Sequence, residues 1–410
     1  MVPEKIRSII VVLLVLFVFL VLFVLKCSIA LSHRVHSHSY SMQKNISLIG
    51  IGQTPFGEWW GKSLFTLVEE AVDSAITSAP CSALDIDFII VANMLGEVVN
   101  GQAHLGAIAS SMLPHHPPAI RVEAACASGS IAVHTACALL ESGRAETVLV
   151  VGAEKMTDAS GDEIQTALMG AADSEKDAPC GLTFPGIFGL VARRYMHEYG
   201  LTRDQLNLVS ARHHSNALKN PFAQFRQEMT PEQIGASTIV ADPLRLLDCS
   251  PVSDGAAACI LSTKHRSPIR IAASQTSTDS VSITDRPTLT SFAATKDAVE
   301  RALDEANIST SDIAHVELHD CFSIAAVIAL EDMGFAEPGE GIQWYEKLQS
   351  MTVNASGGLK ACGHPVAATG IKQIIDVSKQ LQNSGKRFGL AHNFGGVGAT
   401  CCIHILHHSP

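Results

Sequence analysis

Three separated segments of the chain contain side chains that could perform nucleophilic and acid–base chemistry. Cys126 lies among alanines, serines and a glycine, His319 and Cys321 lie in the His-Asp-Cys-Phe run at 319–322, and His364 stands between a glycine and a proline. A thiolate is a nucleophile, and an imidazole within reach can accept the thiol proton. A thiol nucleophile, an imidazole base and a second thiol suit acyl transfer between thioesters better than most other reactions.

The small residues around Cys126 predict a tight turn into a buried helix. Backbone N–H groups in such a turn can point at an oxyanion, and a helix N-terminus lowers the pKa of a thiol. A buried structural cysteine is the alternative, because free cysteines are among the most buried residue types.

Pro365 favours a helix start at His364, since proline is pre-set for the first helical turn. At that position the helix dipole disfavours protonation, so we expect a neutral imidazole that can accept the thiol proton.

The run at 319–322 follows the apolar strand predicted at 314–318, and residues at strand ends are well placed to line a crevice. Cys321 could protonate or deprotonate a substrate carbon, and His319 could orient a water or a substrate carbonyl. Asp320 could serve only to brace the loop. After another predicted strand, the glycines in 392–398 let the backbone approach a ligand closely.

The elements that must position these groups alternate between helix and strand, which predicts an α/β protein with mixed sheets covered on both faces. The chain also repeats weakly. The helical pattern at 68–75 is echoed at 299–306, and each is followed by a short loop and a strand. Cys126 and His364 precede equivalent helices and strands in the two halves. We therefore predict two similar α/β halves, with a polar, helix-rich insertion over about 157–247 in the first.

The composition is that of a globular protein long enough for two or three domains. There are 29 Lys and Arg residues against 40 Asp and Glu residues, so the net charge of -11 gives no reason to expect nucleic acid. A polyanionic ligand such as coenzyme A is not excluded, because a small ligand senses local charge. The 11 cysteines show no metal-binding or disulfide spacing, so we expect no metal site and a reducing compartment.

An unbroken apolar run extends from Ile9 to Leu25, with basic residues on both sides. It lies at the short end of what spans a bilayer, so an uncleaved anchor and a membrane-associated protein are one expectation. A secretory signal peptide is less favoured, since no small-residue cleavage site follows. If translation starts at Met42 instead, a mitochondrial or peroxisome-like organelle is expected.

Several motifs together resemble the thiolase superfamily. They are the Cys-Ala-Ser at 126–128, the Asn-Ala-Ser-Gly-Gly at 354–358 that leads into the Gly-His-Pro at 363–365, and the Asp-Gly-Ala-Ala at 254–257. The His-Asp-Cys-Phe at 319–322 replaces the Asn-Glu-Ala-Phe of common thiolases and is similar to the sterol-carrier-protein type and related thiolase-like proteins. The resemblance covers roughly residues 46–406, nearly the whole globular part.

The resemblance implies a thiolase fold with two core domains packed in five layers, α/β/α/β/α, and an inserted loop domain. The expected domains are 42–268, including the insertion, and 269–410, after an N-terminal segment at 1–41. The family is usually homodimeric, uses coenzyme A as a substrate and holds no tightly bound cofactor.

It also implies roles for single residues. Cys126 would take the acyl group, His364 would activate the thiol, and Cys321 would move the substrate proton, since His392-Asn393-Phe394-Gly395 lacks the usual second cysteine. One oxyanion hole would use His364 with a water near His319, and the other the N–H groups of Cys126 and the Phe394–Gly395 turn. The expected substrate-binding residues are Ser128, Asn354, Gly358 and Asn393.

The leading hypothesis is therefore an acetyl-CoA C-acyltransferase of fatty-acid or lipid metabolism, including β-oxidation, acting on 3-ketoacyl-CoA and CoA through an acyl-cysteine. A non-catalytic acyl-CoA-binding or lipid-binding thiolase-like protein is the alternative. A ketoacyl synthase that uses a carrier protein is a third hypothesis, and Asp320 and Cys321 fit it poorly.

Overall fold

The computed structural model of the protein describes residues 45–347 and 349–409. The strands are β1 (Ile46–Gln53), β2 (Phe88–Ala92), β3 (Ala119–Val122), β4 (Thr147–Glu154), β5 (Ile239–Ala241), β6 (Leu244–Arg245), β7 (Gly255–Ser262), β8 (Ile269–Thr278), β9 (Ile313–Glu317), β10 (Thr352–Val353), β11 (Phe388–Gly395) and β12 (Thr400–His408). The helices are α1 (Leu64–Ser78), α2 (Gly96–Val99), α3 (Leu105–Ser111), α4 (Ser128–Glu141), α5 (Gly161–Leu168), α6 (Phe184–Tyr199), α7 (Arg203–Ala217), α8 (Pro231–Ala236), α9 (Ala293–Ala306), α10 (Ser323–Asp332), α11 (Gln343–Glu346), α12 (Gly358–Cys362) and α13 (Thr369–Ser384).

The main sheet repeats one topology twice. Its strand order is β10-β9-β11-β12-β8-β1-β7-β4-β2-β3, and the halves meet where β1 pairs with β8. From the junction outward, each half has two antiparallel pairings followed by two parallel ones. The first half therefore matches the second strand for strand, which confirms the predicted similarity of the two halves.

Helices cover both faces of these strands, so the central strands are buried throughout. Every residue of β4 is buried. Val148 and Val150 pack with α4 and α13, whereas Leu149 and Val151 pack with α1. This period of two places successive side chains in different cores. With α9 and α10 packed in a further core against β9, β11 and β12, the layers follow the predicted α/β/α/β/α order.

The middle layer requires very close backbone contact between the two halves. A Cβ atom at Gly129 of α4 would lie 2.5 Å from the carbonyl oxygen of Ala367. At Gly370 of α13, a Cβ would lie 2.5 Å from the backbone nitrogen of Ser130. Only glycine fits at both positions. The starts of α4 and α13 therefore touch, which brings the segments that contain Cys126 and His364 together.

The segment between β4 and β7 contains α5 to α8 and the small antiparallel pair of β5 and β6. One side of α6 and α7 is buried against the second half of the fold, through residues such as Phe188, Tyr195 and Leu206. This segment supplies one wall of the cavity described below.

The apolar run from Ile9 to Leu25 lies outside the described residues. Within the described part of the chain, no helix has both the length and the apolar character needed to cross a membrane. The prediction of a membrane-associated protein held by an N-terminal anchor is wrong on this finding.

Candidate active site

Cys126 lies in a tight turn between β3 and α4. Ala125, just before it, has a φ of 51°, a left-handed conformation that is unusual for a residue with a side chain. The hydroxyl of Ser128 braces this turn by accepting the N–H of Ala124 at 2.8 Å and donating to the carbonyl of Ala125 at 2.6 Å. The turn therefore places Cys126 just before the first residue of α4 rather than within the helix.

The surroundings of Cys126 keep its thiol protonated at neutral pH. Burial raises the pKa of the thiol to about 12, although the N–H of Gly396 donates a hydrogen bond to Sγ and opposes the shift. The expectation that the helix start would lower this pKa is therefore wrong, because desolvation outweighs the backbone donors. The thiol needs a base to become a nucleophile.

His364 lies between α12 and α13, five residues before the start of α13, so the predicted helix start at this residue is displaced. Its Nδ1 lies 2.7 Å from the hydroxyl of Thr369, and its backbone N–H donates to Ser253 Oγ at 3.0 Å. Burial lowers the pKa of His364 to about 4. The ring is thus neutral at physiological pH, as expected, although burial rather than a helix dipole is the main cause.

His319 follows β9 and is fully buried. Its Nδ1 lies 2.8 Å from Asn393 Nδ2, and its ring centroid lies 4.3 Å from that of Phe394 and 5.0 Å from that of His364. Burial, together with the neighbouring His364, lowers the pKa of His319 well below its usual range.

These residues converge on one point. The Sγ of Cys126 and one ring nitrogen each of His319 and His364 all lie within 4.8 Å of one another. Within the described residues, neither the Nε2 of His319 nor that of His364 has a hydrogen-bond partner. Buried polar atoms are nearly always hydrogen-bonded, so two unpartnered nitrogens at one point indicate a site for a ligand or substrate.

Cys321 is the second thiol at this point. It lines the same cavity as Cys126 and His364, and its carbonyl accepts the N–H of Ser250 at 2.9 Å. Burial and the neighbouring Cys126 raise the pKa of the Cys321 thiol well above its usual range. It is therefore a proton donor at neutral pH rather than a thiolate.

The cavity over these groups has a volume of about 210 Å³. Beyond Cys126, Cys321 and His364, its walls are mainly apolar, and they include Ile164, Leu168, Phe184, Phe188, Phe322 and Val366. An apolar wall of this kind suits an acyl chain, with the reactive groups at one end.

The four residues expected to bind substrate have other positions. Ser128 braces the Cys126 turn, Asn354 Oδ1 accepts the N–H of Leu318 at 2.7 Å, and Asn393 contacts His319. Gly358 adjoins Asp320, which a Cβ would strike. None of the four lines the cavity. All four are buried, and two of their polar atoms, Asn354 Nδ2 and Asn393 Oδ1, have no hydrogen-bond partner among the described residues.

The turn that follows Phe394 and Gly395 reaches the cavity through the next residue. Gly396, rather than Phe394 or Gly395, lines the cavity, and its N–H points at Cys126 Sγ. Phe394 packs against His319, and Gly395 adjoins the carbonyl of Ala124, where a Cβ would clash.

Three further residues that contact or act on the site were not predicted from the sequence. Thr369 holds His364, and His213 Nδ1 lies 2.7 Å from Asp320 Oδ2. Glu154, at the end of β4, has a pKa that burial raises to about 7, and it acts electrostatically on Cys126. No sequence motif indicates His213 or Thr369. Asp320, which His213 contacts, was interpreted only as a residue that could brace the loop.

Comparisons with known proteins show which family the chain belongs to. The thiolase N-terminal domain matches residues 46–265, and the thiolase C-terminal domain-like family matches residues 275–408. The chain belongs to the thiolase family. This confirms the resemblance noted from the sequence and the interpretation as an acyltransferase of the thiolase type.

Relatives of this thiolase span almost the whole described chain. It is 42% identical over 382 residues to an acetyl-CoA acetyltransferase of Methanothermobacter thermautotrophicus, which covers 88% of this chain and 99% of the relative. It is 29% identical to human sterol carrier protein 2 over 87% of this chain and 71% of that protein. A solved structure of human mitochondrial 3-ketoacyl-CoA thiolase in complex with CoA has the same fold, with a TM-score of 0.73 at 18% identity, covering 90% and 99% of the two chains.

Proposed function

We propose that this thiolase cleaves 3-ketoacyl-CoA with CoA, and catalyses the reverse condensation, through an acyl thioester on Cys126. The observation that supports this most directly is the convergence of Cys126, His319 and His364 within 4.8 Å at the end of an apolar cavity. Relatives named acetyl-CoA acetyltransferase point to the same chemistry.

His364 is the base that activates Cys126. The Thr369 hydroxyl donates to the carbonyl of Pro365 at 3.1 Å, so toward His364 its oxygen can only accept. The proton of the His364 ring is therefore on Nδ1, and Nε2 has a free lone pair. As Cys126 Sγ bonds to the 3-keto carbon, its proton moves to Nε2, and the N–H groups of Cys126 and Gly396 stabilise the oxyanion.

His319 has the opposite tautomer and is a hydrogen-bond donor. The amide nitrogen of Asn393 donates to Nδ1, which places the ring proton on Nε2. When the carbon–carbon bond breaks, its electron pair passes to the leaving acetyl-CoA as an enolate. The Nε2–H of His319 is then available for the enolate oxygen.

Cys321 donates its thiol proton to the enolate carbon, which releases acetyl-CoA. CoA then attacks the acyl thioester, Cys321 recovers a proton from the CoA thiol, and His364 returns its proton to Cys126. Protons and electrons balance over this cycle without a resident cofactor, and coenzyme A takes part as a substrate.

The full-length protein should cleave acetoacetyl-CoA in the presence of CoA. Cys126→Ala should abolish this activity, whereas Cys180→Ser, at an exposed thiol, is the matched control and should retain it. If the wild-type protein binds CoA without any turnover, the chain is a non-catalytic acyl-CoA-binding protein and the proposal fails.

The role of Cys321 has a separate test. Cys321→Ala should still form an acyl adduct on Cys126, detected by intact-protein mass spectrometry, but its steady-state rate should fall by about 10²- to 10⁴-fold, the usual contribution of a positioned acid or base. An unchanged rate would move the proton-transfer role to another group.

The assembly that we propose is a homodimer joined through β3. This strand forms one edge of the main sheet, and within residues 45–347 and 349–409 it pairs with β2 alone; Ile120 in its middle is 40% exposed. An open strand edge of this kind can pair with a second copy across a twofold axis. Light scattering during gel filtration should give twice the chain mass. A monomer that persists at micromolar concentration would contradict this assembly.

A further inference from the structure

Two unpartnered imidazole nitrogens and a thiol point at the same small volume in this molecule. The three atoms come from different segments and lie within 4.8 Å of one another. In a tetrahedral zinc site, with about 2.3 Å to sulfur and about 2.0 Å to nitrogen, ligand atoms are roughly 3.3 to 3.6 Å apart. Side-chain rotations that shorten these distances by up to about 1.2 to 1.5 Å would therefore reach this geometry.

We propose that Cys126, His319 and His364 form an inhibitory Zn²⁺ site that competes with the acyl substrate for the catalytic groups. The spacing of these residues in the sequence does not reveal it, because the folded chain alone brings them together. One thiolate and two imidazoles, with a water as the fourth ligand, are a donor set that suits zinc.

The surroundings of both histidines suit metal ligands. A histidine that binds a metal usually donates its other ring N–H to a neighbouring group, which fixes the ring. His364 already does so, because its Nδ1 faces the accepting hydroxyl of Thr369. Its Nε2 has no hydrogen-bond partner within the described residues, so a metal could bind there without a change of tautomer.

His319 needs one local change. Metal binding at its Nε2 requires the ring proton on Nδ1, and Asn393 must then accept it. The Oδ1 of Asn393 has no hydrogen-bond partner within the described residues. Rotation of the amide by half a turn brings Oδ1 to Nδ1 and supplies the acceptor. The same amide can thus support His319 as a donor to substrate or as a metal ligand.

The cavity also gives an ion access to the site. The cavity of about 210 Å³ opens onto Cys126 and His364, so an ion can enter by the substrate route. On binding, the Zn–S bond replaces the S–H bond of Cys126, and the proton passes to bulk water. No electron is transferred, so the inhibition is reversible and a chelator restores the free thiol.

The test is calorimetric titration of the full-length protein with ZnCl₂, in a Cys180→Ser background that removes an exposed competing thiol. One site per chain is expected. Cys126→Ser and His319→Asn should each raise the dissociation constant by at least about 10-fold, whereas Cys321→Ser, whose thiol lines the same cavity, should retain the site. Unchanged zinc affinity in both Cys126→Ser and His319→Asn would overturn the proposal.

Cobalt substitution gives a readout that does not depend on activity. Bound Co²⁺ should show a thiolate charge-transfer band that disappears in Cys126→Ser, while each metal-free variant retains the wild-type melting temperature. A band that survives in Cys126→Ser would place the metal elsewhere. Thiolysis by the metal-free protein is measured separately, so a failed thiolase assay with intact zinc binding would count only against the proposed function.

Discussion

The Oδ2 atom of Asp320 lies 2.7 Å from Nδ1 of His213, and both side chains are fully buried. The other oxygen of Asp320 accepts the backbone N–H of Leu359 at 2.7 Å, at the start of α12. Burial alone would raise the pKa of Asp320, but the charge of His213 and these hydrogen bonds bring its pKa below the usual value. One carboxylate therefore connects the inserted segment to the loop of His319 and Cys321 and to the helix that leads to His364.

Loss of this pair should destabilise the protein strongly. Removing one partner of a buried polar pair leaves the other group without compensation and costs about 1 to 3 kcal/mol, and more for a carboxylate. We expect that loss in the free energy of unfolding for Asp320→Ala and His213→Ala, measured by urea titration. The matched control is Lys62→Ala, which breaks the exposed 2.7 Å pair with Glu70 and should cost less than about 1 kcal/mol. If His213→Ala is as mild as Lys62→Ala, the pair does not hold these segments.

The Thr369 hydroxyl should matter for the rate rather than for substrate binding. Thr369→Val removes the acceptor that fixes the His364 tautomer, and we expect kcat for acetoacetyl-CoA cleavage to fall by about 10- to 100-fold with little change in KM. Thr369→Ser keeps the oxygen and should restore most of the rate. If valine and serine at position 369 give equal kcat values, the hydroxyl has no role in positioning the base.

Much of the fold could be predicted because its signals are local. The apolar runs at 148–153 in β4 and at 388–391 at the start of β11 indicate strands buried on both faces, and the repeated helix–strand pattern predicts two halves of the same topology. The start of α13 was predicted too early. Pro365 resembles a first helical residue, yet residues 366–368 form turns before the helix begins at Thr369.

The site was harder to predict because its geometry is not local. Cys126, Cys321, His319 and His364 were identified from their motifs, but their convergence depends on the contact between α4 and α13. Polar residues beside these motifs, such as Asn393, were interpreted as substrate ligands. In the fold Asn393 is buried and its amide nitrogen lies 2.8 Å from Nδ1 of His319, a contact that only the folded chain creates.

Acid should destabilise the folded protein through its buried histidines. Burial lowers the pKa of His364 to about 4 and those of His392 and His404 to about 3. Below a pH of about 6.5 these histidines bind protons in the unfolded chain but stay neutral in the folded chain. The free energy of unfolding therefore falls as the pH falls toward these pKa values. Each group contributes up to about 1.4 kcal/mol per pH unit in this window.

Urea titrations at pH 7.5 and pH 5 measure this dependence. His404→Asn should remove one such contribution and flatten the slope by up to about 1.4 kcal/mol per pH unit. The same replacement at the exposed His104 is the matched control. Equal slopes for the wild type and His404→Asn would contradict the argument from burial.

The contact between the two halves should tolerate no side chain at Gly129. A Cβ there would lie 2.5 Å from the carbonyl oxygen of Ala367, and backbone cannot move aside as a flexible side chain can. Although alanine favours a helix more than glycine by about 1 kcal/mol, overpacking a close backbone contact costs about 1 to 3 kcal/mol or more. We therefore expect Gly129→Ala to lower the free energy of unfolding and, because α4 and α13 move apart, to reduce kcat as well.

Gly170→Ala is the matched control, since a Cβ there meets nothing within 4 Å. A Gly129→Ala protein that is as stable and active as Gly170→Ala would show that the Cys126 and His364 segments do not depend on this contact.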